Sequence, residues 1–163
     1  MKIMIAFEAV LLLVINACVS TVPMATSSRS QSAVAGKAID IVVYRSRTCS
    51  CCGKWLEHLQ ENNFNVQEIR TGEVQAVKDK YGILQDMASC HTALVEGYVI
   101  EGHVPANDIK ALLKTRPKIV GISVPGMPIG TPGMEMDDEK ESYDVLSFDR
   151  EKHYRIVNSY KGN

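Results

Sequence analysis

Three cysteines stand within four residues of one another, near the start of a predicted helix. Cys49 and Cys52 form a Cys-x-x-Cys pair, and Cys51 lies between them. If the helix begins near Ser50, its unpaired amide groups and the positive end of its dipole favour the thiolate over the thiol form of these cysteines. The thiolate is the form of cysteine that acts as a nucleophile and as a ligand for soft metal ions. The segment therefore predicts either thiol redox chemistry or metal binding.

The third cysteine of this segment favours metal binding. A disulfide enzyme needs two sulfur atoms, and a direct bridge between the neighbours Cys51 and Cys52 would strain the disulfide. Three thiolates in one helical turn suit a soft ion such as Cu(I). Cys90 comes just before a predicted strand, in the loop that packs against the Cys-x-x-Cys helix end of a thioredoxin core. We predict a metal site formed by Cys49, Cys51, Cys52 and Cys90.

Other interpretations of the cysteines stay open at this point. In a thiol–disulfide oxidoreductase, Cys49 would be the exposed nucleophile and Cys52 the resolving cysteine, so both would be catalytic only if the protein is redox-active. A structural disulfide framework is typical of exported chains. Zinc also binds four thiolates, although its structural sites usually have two separated Cys-x-x-Cys pairs and this chain has one. Cys90 alone would also fit a small buried side chain.

A segment rich in glycine, proline and methionine covers residues 121–136. Its four glycines and three prolines exclude a helix and predict an ordered loop. Thioether sulfur is a neutral soft ligand that Cu(I) accepts, although methionine also fills gaps in a core. The loop contains three candidate thioethers, Met127, Met134 and Met136, of which we expect Met134 to be the auxiliary ligand.

Two histidines flank the predicted third and fourth strands and could serve the same site. His91 follows Cys90 directly, and His103 comes after the next strand. Each could bind metal or form a hydrogen bond to sulfur, and His103 is the auxiliary ligand that we predict. His58 and His153 are weaker candidates.

The elements that position these residues alternate between strand and helix. The pattern predicts the order β-α-β-α-β-β-α, an α/β fold with a thioredoxin-like core, followed by the long loop and a C-terminal β pair. A buried strand precedes the cysteine segment, and a hairpin is predicted around Glu96-Gly97. The first helix has an apolar face, formed by Cys52, Trp55, Leu56 and Leu59.

The beginning of the chain resembles an export signal. Residues 1–25 contain a basic start, an apolar run and small residues, which together predict a signal peptide. The run ends at Cys18 in a pattern that resembles the lipobox of bacterial lipoproteins, and ordinary cleavage near Ala25 is the alternative. Residues 26–37 predict a flexible linker, and residues 38–163 the metal-binding domain. These features indicate a bacterial cell envelope, with a periplasmic domain and no membrane contact except a lipid on Cys18.

The charge balance excludes a large class of partners. Lys and Arg total 18 and Asp and Glu total 19, for a net charge of -1. Nucleic-acid binding depends mainly on a cationic surface, so no nucleic-acid partner is expected.

Several motifs together resemble the CopG-like family, bacterial proteins often encoded among copper-resistance genes. The resemblance extends over about residues 38–155. The motifs are Cys49-x-Cys51-Cys52-Gly53-Lys54-Trp55, Cys90-His91-Thr92, Gly102-His103-Val104-Pro105 and Val124-Pro125-Gly126-Met127-Pro128-x-Gly130-x-Pro132-Gly133-Met134. The resemblance implies a thioredoxin-like fold, an envelope location and copper handling through the cysteines.

Residues and resemblance lead to one functional hypothesis. We expect an exported protein of envelope copper resistance that binds Cu(I) at the four-cysteine site, with copper redox activity as an extension. Its partners would be copper ions and an envelope copper chaperone or efflux component. The alternative is the envelope thiol–disulfide oxidoreductase that uses Cys49 and Cys52.

Overall fold

The structure is a computed structural model, and it describes residues 36–163. The predicted signal peptide, the lipobox at Cys18 and all but the last two residues of the predicted linker lie outside these residues. No helix within residues 36–163 has the length and apolar character needed to cross a membrane.

Seven strands and three α-helices make up the described chain. The bounds of these elements are β1 Ile39–Arg45, α1 Ser50–Glu61, β2 Phe64–Arg70, α2 Val74–Lys80, β3 His91–Val95, β4 Tyr98–Glu101, α3 Ala106–Thr115, β5 Gly121–Ser123, β6 Tyr143–Phe148 and β7 Tyr154–Tyr160. A short 3-10 helix, Gln85–Met87, leads from α2 to β3.

The strands form one mixed sheet in the order β2-β1-β3-β4-β5-β6-β7. β1 pairs in parallel with β2, β4 pairs in parallel with β5, and the other neighbours are antiparallel. α1 is the crossover connection between the parallel strands β1 and β2, so its first turn lies at the carboxyl end of β1. The cysteine segment therefore begins where β1 leaves the sheet.

The two faces of the sheet bury different clusters. On one face α1 and α3 cover the larger cluster, in which Trp55, Leu59 and Ile109 are fully buried against Val43 and Ile100 of the sheet. The residues after α2 cover a smaller cluster on the other face.

The structure contains the predicted order of elements and adds one strand. The hairpin turn lies at Glu96 and Gly97, as the sequence predicts, and both residues have positive φ in the structure. The apolar face of α1 is also confirmed, since all four of its predicted residues are buried. The prediction of a continuous loop from residue 121 is wrong at its start, because residues 121–123 form β5. Gly121 permits this pairing, since a Cβ there would lie 1.9 Å from the Val99 carbonyl oxygen.

The mixed sheet and its helices make the chain an α/β protein. The C-terminal β pair is present as β6 and β7, and β7 is exposed along nearly its whole length at the edge of the sheet.

Candidate metal centre

The four predicted cysteines lie together at the N-terminus of α1. Their Sγ atoms are all within 4.8 Å of one another. Cys51 Sγ lies 3.5 Å from Cys49 Sγ, and Cys90 Sγ lies 3.5 Å from Cys52 Sγ. The cluster therefore joins one turn of α1 to the chain just before β3.

Two of these cysteines form a disulfide in the structure. Cys49 and Cys52 are bridged, and Cys51 and Cys90 are the free cysteines of the described residues. Cys52 is fully buried, whereas Cys49 is half-buried at the N-cap position of the helix. A disulfide sulfur is not a thiolate, so binding one ion through all four sulfur atoms requires reduction of this bridge.

Two buried imidazoles contact the fourth cysteine. Cys90 Sγ lies 3.1 Å from His103 Nε2 and 3.2 Å from His91 Nδ1. The ligand atoms of this trio are also within 4.8 Å of one another. Cys90 therefore belongs both to the group of four sulfur atoms and to a group of one sulfur and two nitrogen atoms.

A backbone carbonyl fixes the tautomer of His103. Its Nδ1 donates to the Pro132 carbonyl oxygen at 2.8 Å, since a carbonyl can only accept. The neutral ring then directs the lone pair of Nε2 towards Cys90. Burial lowers the pKa of His103, and it lowers the pKa of His91 well below the ordinary value, with His103 adding to the effect. Both imidazoles are therefore neutral, which is the form that binds metal ions.

Cys90 is a thiol as long as no metal is bound. Burial raises the pKa of its thiol to about 12, and the neighbouring Cys51 adds to this shift. A soft metal ion that binds here must displace the proton, so metal binding would release protons.

The Gly/Pro/Met loop packs directly on the first turn of α1. A Cβ on Gly133 would lie 2.7 Å from the Trp55 amide nitrogen and 3.0 Å from the Cys51 carbonyl oxygen. Only a glycine allows the loop to approach this closely. Because Pro132 immediately precedes this contact, the same approach also orients His103.

The three methionines of the loop differ in their exposure. Met127 and Met136 are more than half exposed, whereas Met134, next to Gly133, is half-buried. The prediction that Met134 is an auxiliary ligand remains a prediction.

The supporting roles of two residues were not found by sequence reasoning. Arg45 is buried in β1, forms an ion pair with Glu68 and donates from Nη1 to the Cys49 carbonyl oxygen at 2.6 Å. His58 accepts a hydrogen bond at Nε2 from the Ala106 amide at 3.0 Å and so caps α3 instead of joining the centre. An arginine ending a strand and a histidine in a helix carry no local signal for these roles.

Two of the three comparisons with known proteins gave matches. A family profile described as a protein of unknown function, DUF411, matches residues 87–134, the segment from just before Cys90 to Met134. No curated protein matches the chain significantly.

Two solved structures of copper resistance protein CopG are similar to this chain. Form 2 is 40% identical, with a TM-score of 0.73 over 76% of this chain and 98% of that one. Form 1 is 41% identical, with a TM-score of 0.73 over 77% and 99% of the two chains.

Proposed function

The chain belongs to the family of the copper resistance protein CopG, and from that premise we propose that it binds Cu(I) through Cys49, Cys51, Cys52 and Cys90. The observation that carries the proposal is the approach of four Sγ atoms to within 4.8 Å of one another. Thiolate sulfur is the ligand that Cu(I) prefers, and it can bridge two ions. Copper resistance would then result from removal of free copper from the surroundings.

The donor set around the cysteines supports copper over zinc. A structural zinc site is closed by four ligands in tetrahedral geometry. Here a fifth and a sixth donor, His103 and His91, contact Cys90 within 3.2 Å. Such a set has room for more than one soft ion, with Cys90 shared between them. Met134 is the thioether that we propose as a further ligand.

The proposed binding state is the reduced protein. Two electrons and two protons convert the Cys49–Cys52 disulfide into two thiols, and a thiol reductant or a partner protein would supply them. Cu(I) would then displace the thiol protons. Copper redox activity at this centre is an extension of the proposal, and an envelope copper chaperone or efflux component is the partner class that we propose.

The test measures retained copper in a domain of residues 36–163, the part that the structure describes. The domain is reduced with a phosphine, loaded anaerobically with Cu(I) and challenged with a strong Cu(I) chelator, and copper is measured by mass spectrometry. We expect retained copper in the wild type and a large loss in Cys51→Ser. Met136→Leu is the matched control, because this exposed thioether lies outside the proposed ligand set. Copper lost from the wild type, or retained when all four cysteines are serine, would refute the proposal.

A second candidate function is favoured by the disulfide itself. Cys49 and Cys52 are bridged, and Cys49 is the more exposed sulfur of the pair. A thiol–disulfide oxidoreductase would transfer this bridge to a substrate dithiol through attack on the Cys49 sulfur. It predicts that Cys51→Ser leaves dithiol oxidation unchanged, whereas in a copper site the same variant loses copper.

We further propose a thioredoxin-like arrangement of β1 to α3 and export to the bacterial envelope, with Cys18 as the lipid-bearing residue. The element order and the leader-like residues 1–25 support these proposals. Fractionation of cells that express the full chain tests the location. A Cys18→Ala chain should lose its membrane association if Cys18 carries a lipid.

A further inference from the structure

A buried ion pair contacts the residues that flank Cys90. The Lys78 ammonium of α2 forms an ion pair with Glu101 Oε1 at the end of β4, and both side chains are almost fully buried. Removing two charges from water is costly, and well-packed apolar residues in place of such a pair are often as stable or more stable. A contribution to the stability of the fold is therefore not sufficient to explain why an ion pair is buried here.

The carboxylate of this pair binds a backbone amide before Cys90 and a side-chain hydroxyl after it. The Ser89 amide donates to Glu101 Oε1 at 2.6 Å, and the Thr92 hydroxyl donates to Glu101 Oε2 at 2.6 Å. Lys78 Nζ also donates to Thr92 Oγ1, at 3.1 Å. Ser89 precedes Cys90, and Thr92 is two residues after it. One buried carboxylate thus connects both ends of the short segment that carries the cysteine.

We propose that Glu101 is a positioning residue for Cys90, which fixes its Sγ atom against the other three sulfur atoms and the two imidazoles. Lys78 balances the charge of the buried carboxylate and lets it accept these hydrogen bonds. As a role in copper binding, the inference rests on the proposed Cu(I) site. Partners of this kind, which orient a ligand without touching the metal, typically account for about 10- to 100-fold in metal affinity.

The test separates positioning from stability by removing both charges together. In the double variant Lys78→Met and Glu101→Leu no buried charge is left unpaired, so we expect it to fold. The buried Thr92 hydroxyl loses both of its partners, so this variant stays less stable than the wild type. The Ser89 amide loses its acceptor, and the Cu(I) affinity measured by chelator competition should fall about 10- to 100-fold. Tyr98→Phe is the matched control, since it removes a hydrogen bond to the Pro117 carbonyl oxygen outside the centre.

A second measurement reads the position of Cys90 without copper. In the oxidised protein Cys51 and Cys90 are the free thiols of the described residues. The alkylation rate of Cys90, followed by mass spectrometry, should rise relative to that of Cys51 in the double variant and stay at the wild-type ratio in Tyr98→Phe. If the double variant does not fold, Glu101→Gln replaces it, since the amide keeps the volume but cannot accept all the hydrogen bonds.

The outcomes are distinct. A folded variant with wild-type Cu(I) affinity and a wild-type alkylation ratio would overturn the positioning role. A wild-type chain that binds no Cu(I) refutes the proposed function, while the alkylation ratio still decides whether Glu101 positions Cys90.

Discussion

The contact between the loop and the first turn of α1 makes a quantitative prediction for Gly133→Ala. Gly133 has a φ of 85°, and its added Cβ would lie 2.7 Å from the Trp55 amide nitrogen. The Cys51 carbonyl oxygen, at 3.0 Å, is the next nearest atom. Both atoms belong to the helix backbone, which cannot move aside without moving the cysteines. The loop must therefore shift away from the centre.

Two effects add up in this variant. A non-glycine residue in the left-handed region costs about 1–2 kcal/mol, and overpacking a well-packed contact costs about 1–3 kcal/mol. Gly126→Ala isolates the first effect, because Gly126 has a φ of 68° and no atom within 4 Å of an added Cβ. We expect the free energy of unfolding to fall by about 1–3 kcal/mol more in Gly133→Ala than in Gly126→Ala.

The assay is urea unfolding of the oxidised protein, extrapolated linearly to water. The fluorescence of Trp55 reports on the contact itself, since it is the chain's single tryptophan and its amide is the nearest atom. Weaker Cu(I) retention should accompany the loss of stability, because Pro132 would no longer orient His103. Equal losses of stability in the two glycine variants would refute the reasoning that the loop is pressed against α1.

Two further predictions concern hydrogen bonds between side chains of α1 and the backbone around the start of α3. Trp55→Phe removes the 2.9 Å hydrogen bond from the indole to the buried Val104 carbonyl oxygen. The free energy of unfolding, measured by urea and circular dichroism, should fall by about 1–3 kcal/mol. An unchanged free energy of unfolding would contradict this prediction. His58→Gln should make stability less dependent on pH. Burial lowers the pKa of His58 below its ordinary value of 6.5 in the folded protein. As the pH decreases below about 6.5, the unfolded chain therefore takes up a proton more readily than the folded chain, and the free energy of unfolding of the wild type falls. Glutamine can still accept the hydrogen bond from the Ala106 amide, but it does not titrate. The control is His153→Gln, which replaces an exposed histidine and keeps His58. Between pH 7 and pH 5 the free energy of unfolding should fall less in His58→Gln than in this control.

The sequence was sufficient for features that depend on local patterns. The apolar face of α1 follows from helical spacing, and the hairpin turn follows from two short apolar runs on either side of Glu96-Gly97. The grouping of the cysteines was also predictable, because the first turn of a helix after β1 and the loop before β3 meet at the same edge of the sheet.

The supporting contacts were not predictable, because they join residues distant in sequence through polar side chains. Lys78 in α2 carries no sign that it pairs with Glu101, since a lysine in a short helix normally faces water. β5 was missed because three residues between prolines and glycines give no alternating pattern. Its pairing comes from the neighbouring strands β4 and β6, not from its own sequence.

The assembly of the centre from four separate stretches of chain has a consequence for folding. Cys52 and Cys90 are 38 residues apart, and His103 and Pro132 are 29 residues apart. Contacts of such long range form late, because the chain must first close large loops. A chain that ends before residue 132 would contain every cysteine of the centre and still lack the carbonyl that orients His103. A nascent chain can therefore offer sulfur atoms early, but the complete donor set appears only when the fold is finished.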